Sequence, residues 1–319
     1  MGPRLKTRID WLTFRTKSNP FKTVEALSHV FGTASDLVTF RTGLKGKDGW
    51  LRAGEILMAG DISLGRIDYD GDSQRGWVRV NLTGEGCAWV QDWELVENLP
   101  SVLVEAWVKR LDIALTTYAG EVTDEMVCDA YAQGLFCAGG RPPEMRSITS
   151  SNPRSGMTRY IGKREYGKFL RCYQKGFEMI KDMPHFRDQV THLLGSRIED
   201  IYRVELELKD VDRDVPWSAI GRRDEVFAGA YPFCANLLPG VPHFRLKSLP
   251  DLKPQFTLDA ALNHCRVAYG GILRAALMAH DGNMQEVMSR VLAESPSQAL
   301  IDAGVLTVSH PTESKNVCT

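Results

Sequence analysis

The stretch TRYIGKREYGKFLRCYQKG, residues 158–176, carries three tyrosines, Tyr160, Tyr166 and Tyr173, among closely spaced Lys and Arg. It reads as a β-hairpin with Tyr166 at the turn. Side chains alternate across a strand, so KFLRCYQK (168–175) puts Phe169, Arg171, Tyr173 and Lys175 on one face and Leu170 and Cys172 on the other. Two more segments divide in the same way. RLDIALT (110–116) has Leu111, Ile113 and Leu115 on one face and Arg110, Asp112, Ala114 and Thr116 on the other. RVELELK (203–209) sets Val204, Leu206 and Leu208 against Arg203, Glu205, Glu207 and Lys209. The apolar halves are the core side of an antiparallel sheet. The polar halves either face solvent or, if the three strands are neighbours, gather Asp112, Glu205 and Glu207 beside Tyr173.

The second arrangement has a chemistry. A phenol with a pKa of about 10 is mostly protonated at neutral pH and needs activation to attack. Nearby cations lower that pKa, and Arg171, Lys175 and Arg203 suit phosphate oxygens. Crowded carboxylates disfavour one another's ionisation unless a cation compensates, and Mg²⁺ or Mn²⁺ prefers oxygen ligands. Attack by tyrosine on a phosphodiester leaves a phosphotyrosine ester, so the strand can be rejoined; a simple nuclease needs only water.

A chain of 319 residues, 43% hydrophobic and 25% charged, suits one large or two modest globular domains. No apolar run is long enough to cross a bilayer, and the basic N-terminus has no signal-peptide stretch, so a cytoplasmic protein is expected. The seven cysteines are scattered without a C-x-x-C, which argues against disulfides and structural zinc. The seven histidines form no H-x-H or H-E-x-x-H, leaving carboxylates for any metal. The net charge of −1 hides a local surplus: residues 141–175 hold nine Lys or Arg against two Glu. That segment is either a solvated loop or a nucleic-acid patch.

Along the chain, RIDWLTFR (8–15) and GWVRVNLTGEG (76–86) read as strands. Helices are expected within 21–32, from Thr123 through Tyr131 and within 176–200, and CAGGRPPEMRSITSSNPRSG (137–156) as a loop or irregular edge. Beyond residue 212 the sequence becomes Pro-rich and then helical, with Thr257 as an N-cap and HPTESKNVCT as a disordered tail.

RLDIAL (110–115), the hairpin 158–176 and YRVELELK (202–209), in this order, resemble the Rep_trans replication-initiation family over residues 8–210. That family comprises rolling-circle initiators of bacterial plasmids and filamentous phages, with relatives acting as relaxases of conjugative elements. The resemblance implies an α+β fold, a central antiparallel sheet with flanking helices like that of histidine-hydrophobe-histidine nucleases and relaxases, with carboxylates replacing the histidine pair. It implies a nicking and joining domain at 1–212, followed by a mainly helical region at 213–319 for origin recognition or self-association. The nucleophile position falls on Tyr173, with Arg171 and Lys175 on the phosphate. Asp112 and Glu205, with Glu207 beside them, fall on the Mg²⁺ or Mn²⁺ site. Arg154, Arg159, Tyr160, Lys163, Arg164 and Lys168 would contact DNA, and Tyr160 is the reserve nucleophile. Thr116 stands where the family pattern has a second Asp, so either one carboxylate on that strand suffices or Glu207 or Asp10 contributes; Tyr202 replaces a Trp. Implied partners are origin DNA, a host helicase, a DNA polymerase and a second copy in a homodimer, with no membrane. Alternatives are a non-catalytic DNA-binding replication-control protein and a relaxase with the same chemistry.

Overall fold

The strand holding Asp112 forms because RLDIALT within WVKRLDIALTT alternates: Leu111, Ile113 and Leu115 are fully buried, and an irregularity at Lys109 shifts the register before them. The computed structural model describes residues 5–152, 155–181, 184–248 and 258–297. Arg154, Thr257 and the HPTESKNVCT tail lie outside them. Among the described residues ten strands make one sheet: β1 (Thr7–Thr16), β2 (Val38–Lys45), β3 (Arg52–Met58), β4 (Ile62–Tyr69), β5 (Val78–Leu82), β6 (Trp107–Thr117), β7 (Met145–Thr149), β8 (Met157–Ile161), β9 (Lys168–Tyr173) and β10 (Tyr202–Lys209). Their order is β2-β3-β4-β5-β1-β6-β10-β9-β8-β7, antiparallel throughout.

One apolar core joins the sheet to the helices, holding Leu12, Phe14, Ile113 and Leu206 together with Leu27, Val127 and Phe227. Asn19 caps the helix Pro20–Ser28 by accepting from the Lys22 amide. That helix lies where one was expected within 21–32, and it continues as a 3-10 segment, His29–Leu37, interrupted at Gly32 with φ 57°. Thr123 caps Asp124–Ala132, with Asp124 and Glu125 in the first turn, as expected. Within 176–200 the helices are Lys175–Met179 and Arg187–Leu194. The segment 137–156, expected as a loop or irregular edge, contains the exposed edge strand β7. Strands β2–β4 left no clear mark in the sequence. β3 buries five of its seven residues, so its alternation is lost.

The chain divides into two compact units, Met1–Leu249 and Pro250–Thr319. The boundary expected after residue 212 therefore falls inside the first unit. The reason is packing: the helices Arg223–Ala230 and Pro232–Leu237 bury Val226, Phe227, Phe233 and Cys234 in the sheet's core. Thr7 at the start of β1 also donates to Asp224 from its amide, at 2.9 Å. The second unit holds the helices Leu258–Ala279 and Met284–Val291. No described helix is long and apolar enough to cross a membrane.

Candidate active site

β6, β10 and β9 are adjacent, and their register aligns the polar halves. Glu207 pairs with Asp112 and Phe169, Glu205 with Ala114 and Arg171, and Arg203 with Thr116 and Tyr173. Directly opposed residues share a face, so the acids, the arginines and the tyrosine meet on one surface. That surface is not a solvated one: Asp112, Arg203, Glu205, Glu207 and Tyr173 are each at most 5% exposed.

Buried charges persist only when paired, and each acid here has a cationic partner. Arg110 donates to both oxygens of Asp112, at 2.8 and 2.5 Å, and its Nη2 is 2.8 Å from Glu207. Arg171 Nη2 lies 2.9 Å from both oxygens of Glu205. Glu207 also accepts from Arg164 at 3.2 Å; its other oxygen has Lys209 Nζ at 2.6 Å but no donor aligned for a hydrogen bond. Burial pushes the Asp112 carboxyl up to about 7, against the pull of Arg110 and with Glu205 and Glu207 adding to the rise. Burial acts upward on Glu207 too, but Lys209, Arg110 and Arg164 outweigh it and hold that acid below its ordinary value.

A fourth carboxylate joins them. β1 bulges between Ile9 and Trp11: Ile9 pairs with Ile113 on the core side, Trp11 with Asp112 on the polar side. The extra residue, Asp10, receives both its oxygens' bonds from Arg203 Nη1, at 2.9 and 3.0 Å. Arg203 Nε donates to Thr116 at 2.9 Å. Thr116 thus anchors an arginine, and that arginine ties β10 to Asp10 on β1. Asp10, Asp112 and Glu205 line a cleft of about 660 Å³, with Arg110, Arg171 and Arg203. Glu207 is not in its wall. Arg110 and Asp10 are the site residues the sequence reading undervalued. Arg110 was visible by alternation, whereas the bulge hides Asp10 from any count of odd and even positions.

The Tyr173 hydroxyl donates to Glu205 across 3.3 Å, and Arg171 lies over its ring at 4.4 Å. The phenol's pKa is raised, by burial first and by Glu205 next, and the opposing charges of Arg203 and Arg171 do not offset this. Arg203 and Arg171 act downward, as expected of nearby cations, but burial and Glu205 outweigh them. Lys175 is not on the strand; β9 ends at Tyr173 and Lys175 opens the next helix. Its ammonium bonds Glu178 at 2.9 Å and stands 5.9 Å from the Tyr173 ring. Tyr160 on β8 pairs with Arg171 and packs its ring on Phe169 at 5.2 Å. Tyr166 is exposed at the turn.

The basic segment is spread over different environments. Arg159 is bound to Asp124 at 2.9 and 2.5 Å. Lys168 lies on the opposite face from Arg171, donating to the Ala230 carbonyl at 3.0 Å. Lys163 stands 5.9 Å from the Tyr166 ring, and Arg164 reaches Glu207. Arg164 lines the acid cleft, so of these four it is the one at the site.

The carboxylates are the hard oxygen donors that Mg²⁺ or Mn²⁺ takes. As placed, guanidinium and ammonium groups hold them, and among the described residues no three His, Cys, Asp or Glu come together to hold a metal.

The family model described as replication initiation factor, Rep_trans, matches residues 106–292, a span that includes β6, β9 and β10. Among solved structures the chain is similar to a rolling circle replication initiator protein from Geobacillus stearothermophilus, at 20% identity and a TM-score of 0.51. That likeness covers 78% of this chain and 90% of the other, and at this identity it bears on the fold alone. No curated protein matches the chain.

Proposed function

The chain belongs to the Rep_trans family of replication initiation factors, and on that premise we propose that it starts rolling-circle replication by nicking origin DNA with Tyr173 and later rejoining the strand. The observation that carries this reading is the hydrogen bond from Tyr173 to a Glu205 carboxylate that Arg171 also holds. The phenol is stored neutral. As it attacks the scissile phosphorus, its proton passes to Glu205. The new bond joins the tyrosine oxygen to the 5′-phosphate, the bond to the 3′ oxygen breaks, and Glu205 returns the proton to that oxygen. Arg171 and Arg203 stand where charge builds on the phosphate oxygens. The reverse sequence rejoins the strand.

Mg²⁺ or Mn²⁺ enters this proposal as a condition of the assay, and no step is assigned to it. The ion would have to draw Asp112 and Glu205 from Arg110 and Arg171. The reading extends to a host helicase and polymerase that use the released 3′-OH, to action in the cytoplasm of a bacterial host carrying a plasmid or filamentous phage, and to a possible homodimer.

The test is a covalent adduct between the protein and single-stranded origin DNA that survives denaturation, with Mg²⁺, Mn²⁺ or chelator present. Wild type and Tyr160→Phe are expected to form it, and Tyr173→Phe is not. An adduct on Tyr173→Phe moves the nucleophile to Tyr160, which lines a neighbouring cleft with Tyr173. No adduct from wild type leaves a non-catalytic DNA-binding role, a reading that the burial of Tyr173 favours.

A further inference from the structure

A second cleft, of about 920 Å³, is lined by Tyr173. Tyr160, Tyr173, Phe177 and Ile180 give it aromatic and aliphatic walls, while Gln174, Lys181, His185 and Arg187 add polar and charged groups. Phe177 and Ile180 of its wall belong to a small separate core with Ile198 and Ile201, against which Val190 packs. Arg171 and Glu178 border both clefts, whereas Tyr173 lines only this one and sends its hydroxyl to Glu205 in the other. Register brings the pieces together: Thr158 lies opposite Tyr173 and Tyr160 opposite Arg171.

We propose that this cleft holds the unpaired nucleobase next to the scissile phosphate, stacked against Tyr160. The inference rests on the nicking reading only in putting that phosphate at Tyr173. Its size lies within the ~300–1,000 Å³ of small-ligand sites. Flat aromatic walls with a few polar groups at the rim are the chemistry that takes a base by its face and edge. A strand whose phosphate lies on Arg171 has one nucleotide on each side of it, and the acid cleft is a poor place for a base. Its one aromatic wall residue, Trp11, is covered by Arg110 at 5.0 Å, and most of the rest are ion-paired side chains whose bonds a base would break without offering charge in return. The aromatic cleft takes the base without that loss. The same packing explains why Tyr160 is held in place by Phe169.

The test is equilibrium binding, which does not depend on nicking. A fluorescein-labelled oligodeoxythymidine of about 12 nucleotides, within known single-strand site sizes, is compared with an abasic strand of the same length on the full chain carrying Tyr173→Phe. The intact strand is expected to bind about 10-fold tighter, the scale of one stacked base. Tyr160→Leu added to that background is expected to erase most of the ratio while leaving affinity for the abasic strand within about 2-fold. Thr158→Trp, which fills the cleft from β8 and leaves Tyr160 on Phe169, is expected to do the same. A ratio unchanged in both variants, or absent to begin with, overturns the proposal. Failure of the nicking reading shows separately, as a missing adduct on wild type.

Discussion

Tyr173 and Glu205 stand on neighbouring antiparallel strands, two residues apart in register, with 3.3 Å between the phenol and carboxylate oxygens. The carboxylate is shared: Arg171 holds both its oxygens, so the acid is at once an acceptor for the phenol and a counter-ion for a guanidinium. In the proposed nicking reaction, proton acceptance and phosphate binding would be coupled through this one side chain.

Glu205→Gln keeps the shape and removes the charge. Nicking is expected to fall by about 10²–10⁴-fold, the usual weight of a positioned proton acceptor. Stability is expected to fall by about 2–3 kcal/mol, at the lower end for a broken buried pair because Arg171 is 34% exposed. Single-turnover nicking and urea unfolding read the two effects separately.

Arg171→Lys retains the positive charge but cannot span both oxygens of Glu205 and a phosphate at once. Nicking is expected to drop about 10–100-fold, with single-strand affinity changed by less than about 3-fold. A drop in affinity equal to the drop in rate makes Arg171 a simple binding residue.

Lys168 is the pH reporter of the core. Its ammonium sits over the Tyr231 ring at 3.8 Å, and burial first, then the charges of Arg213 and Arg245, lower its pKa from 10.5 to about 8. Between those values the unfolded chain keeps a proton that the folded chain has released, so this group makes stability rise with pH across that window. Below it, the folded state carries the full cost of the buried charge. Lys168→Met is expected to flatten the rise, which is on the order of 2 kcal/mol after allowance for partial exposure. Urea midpoints at about pH 7.5 and about pH 10 for both proteins check this.

Cutting the chain after Asp212 is expected to unfold it, whereas cutting after Leu249 leaves a cooperatively folded unit. The residues lost by the shorter cut include Val226, Phe227, Tyr231, Phe233 and Leu238, all buried in the core. At about 2 kcal/mol each they contribute roughly 10 kcal/mol, comparable with the whole stability of a domain. Thermal unfolding followed by circular dichroism distinguishes the two fragments.

Strand covalent geometry made much of this site readable in the sequence. Alternation alone separated Arg171 and Tyr173 from Leu170 and Cys172, and Asp112, Glu205 and Glu207 from the buried leucines, because successive side chains of a strand must point to opposite faces. Alternation says nothing about which strands touch. The order β6-β10-β9 is a matter of long-range hydrogen-bond register, fixed by burial of the common apolar face. Only the folded chain could bring Asp10 to Arg203 across 193 positions, through a bulge that breaks the parity count. It alone decided that the acids are buried against arginines and that the Tyr173 pKa is raised rather than lowered. Those outcomes depend on burial and on distances between strands, quantities that no local run of residues contains.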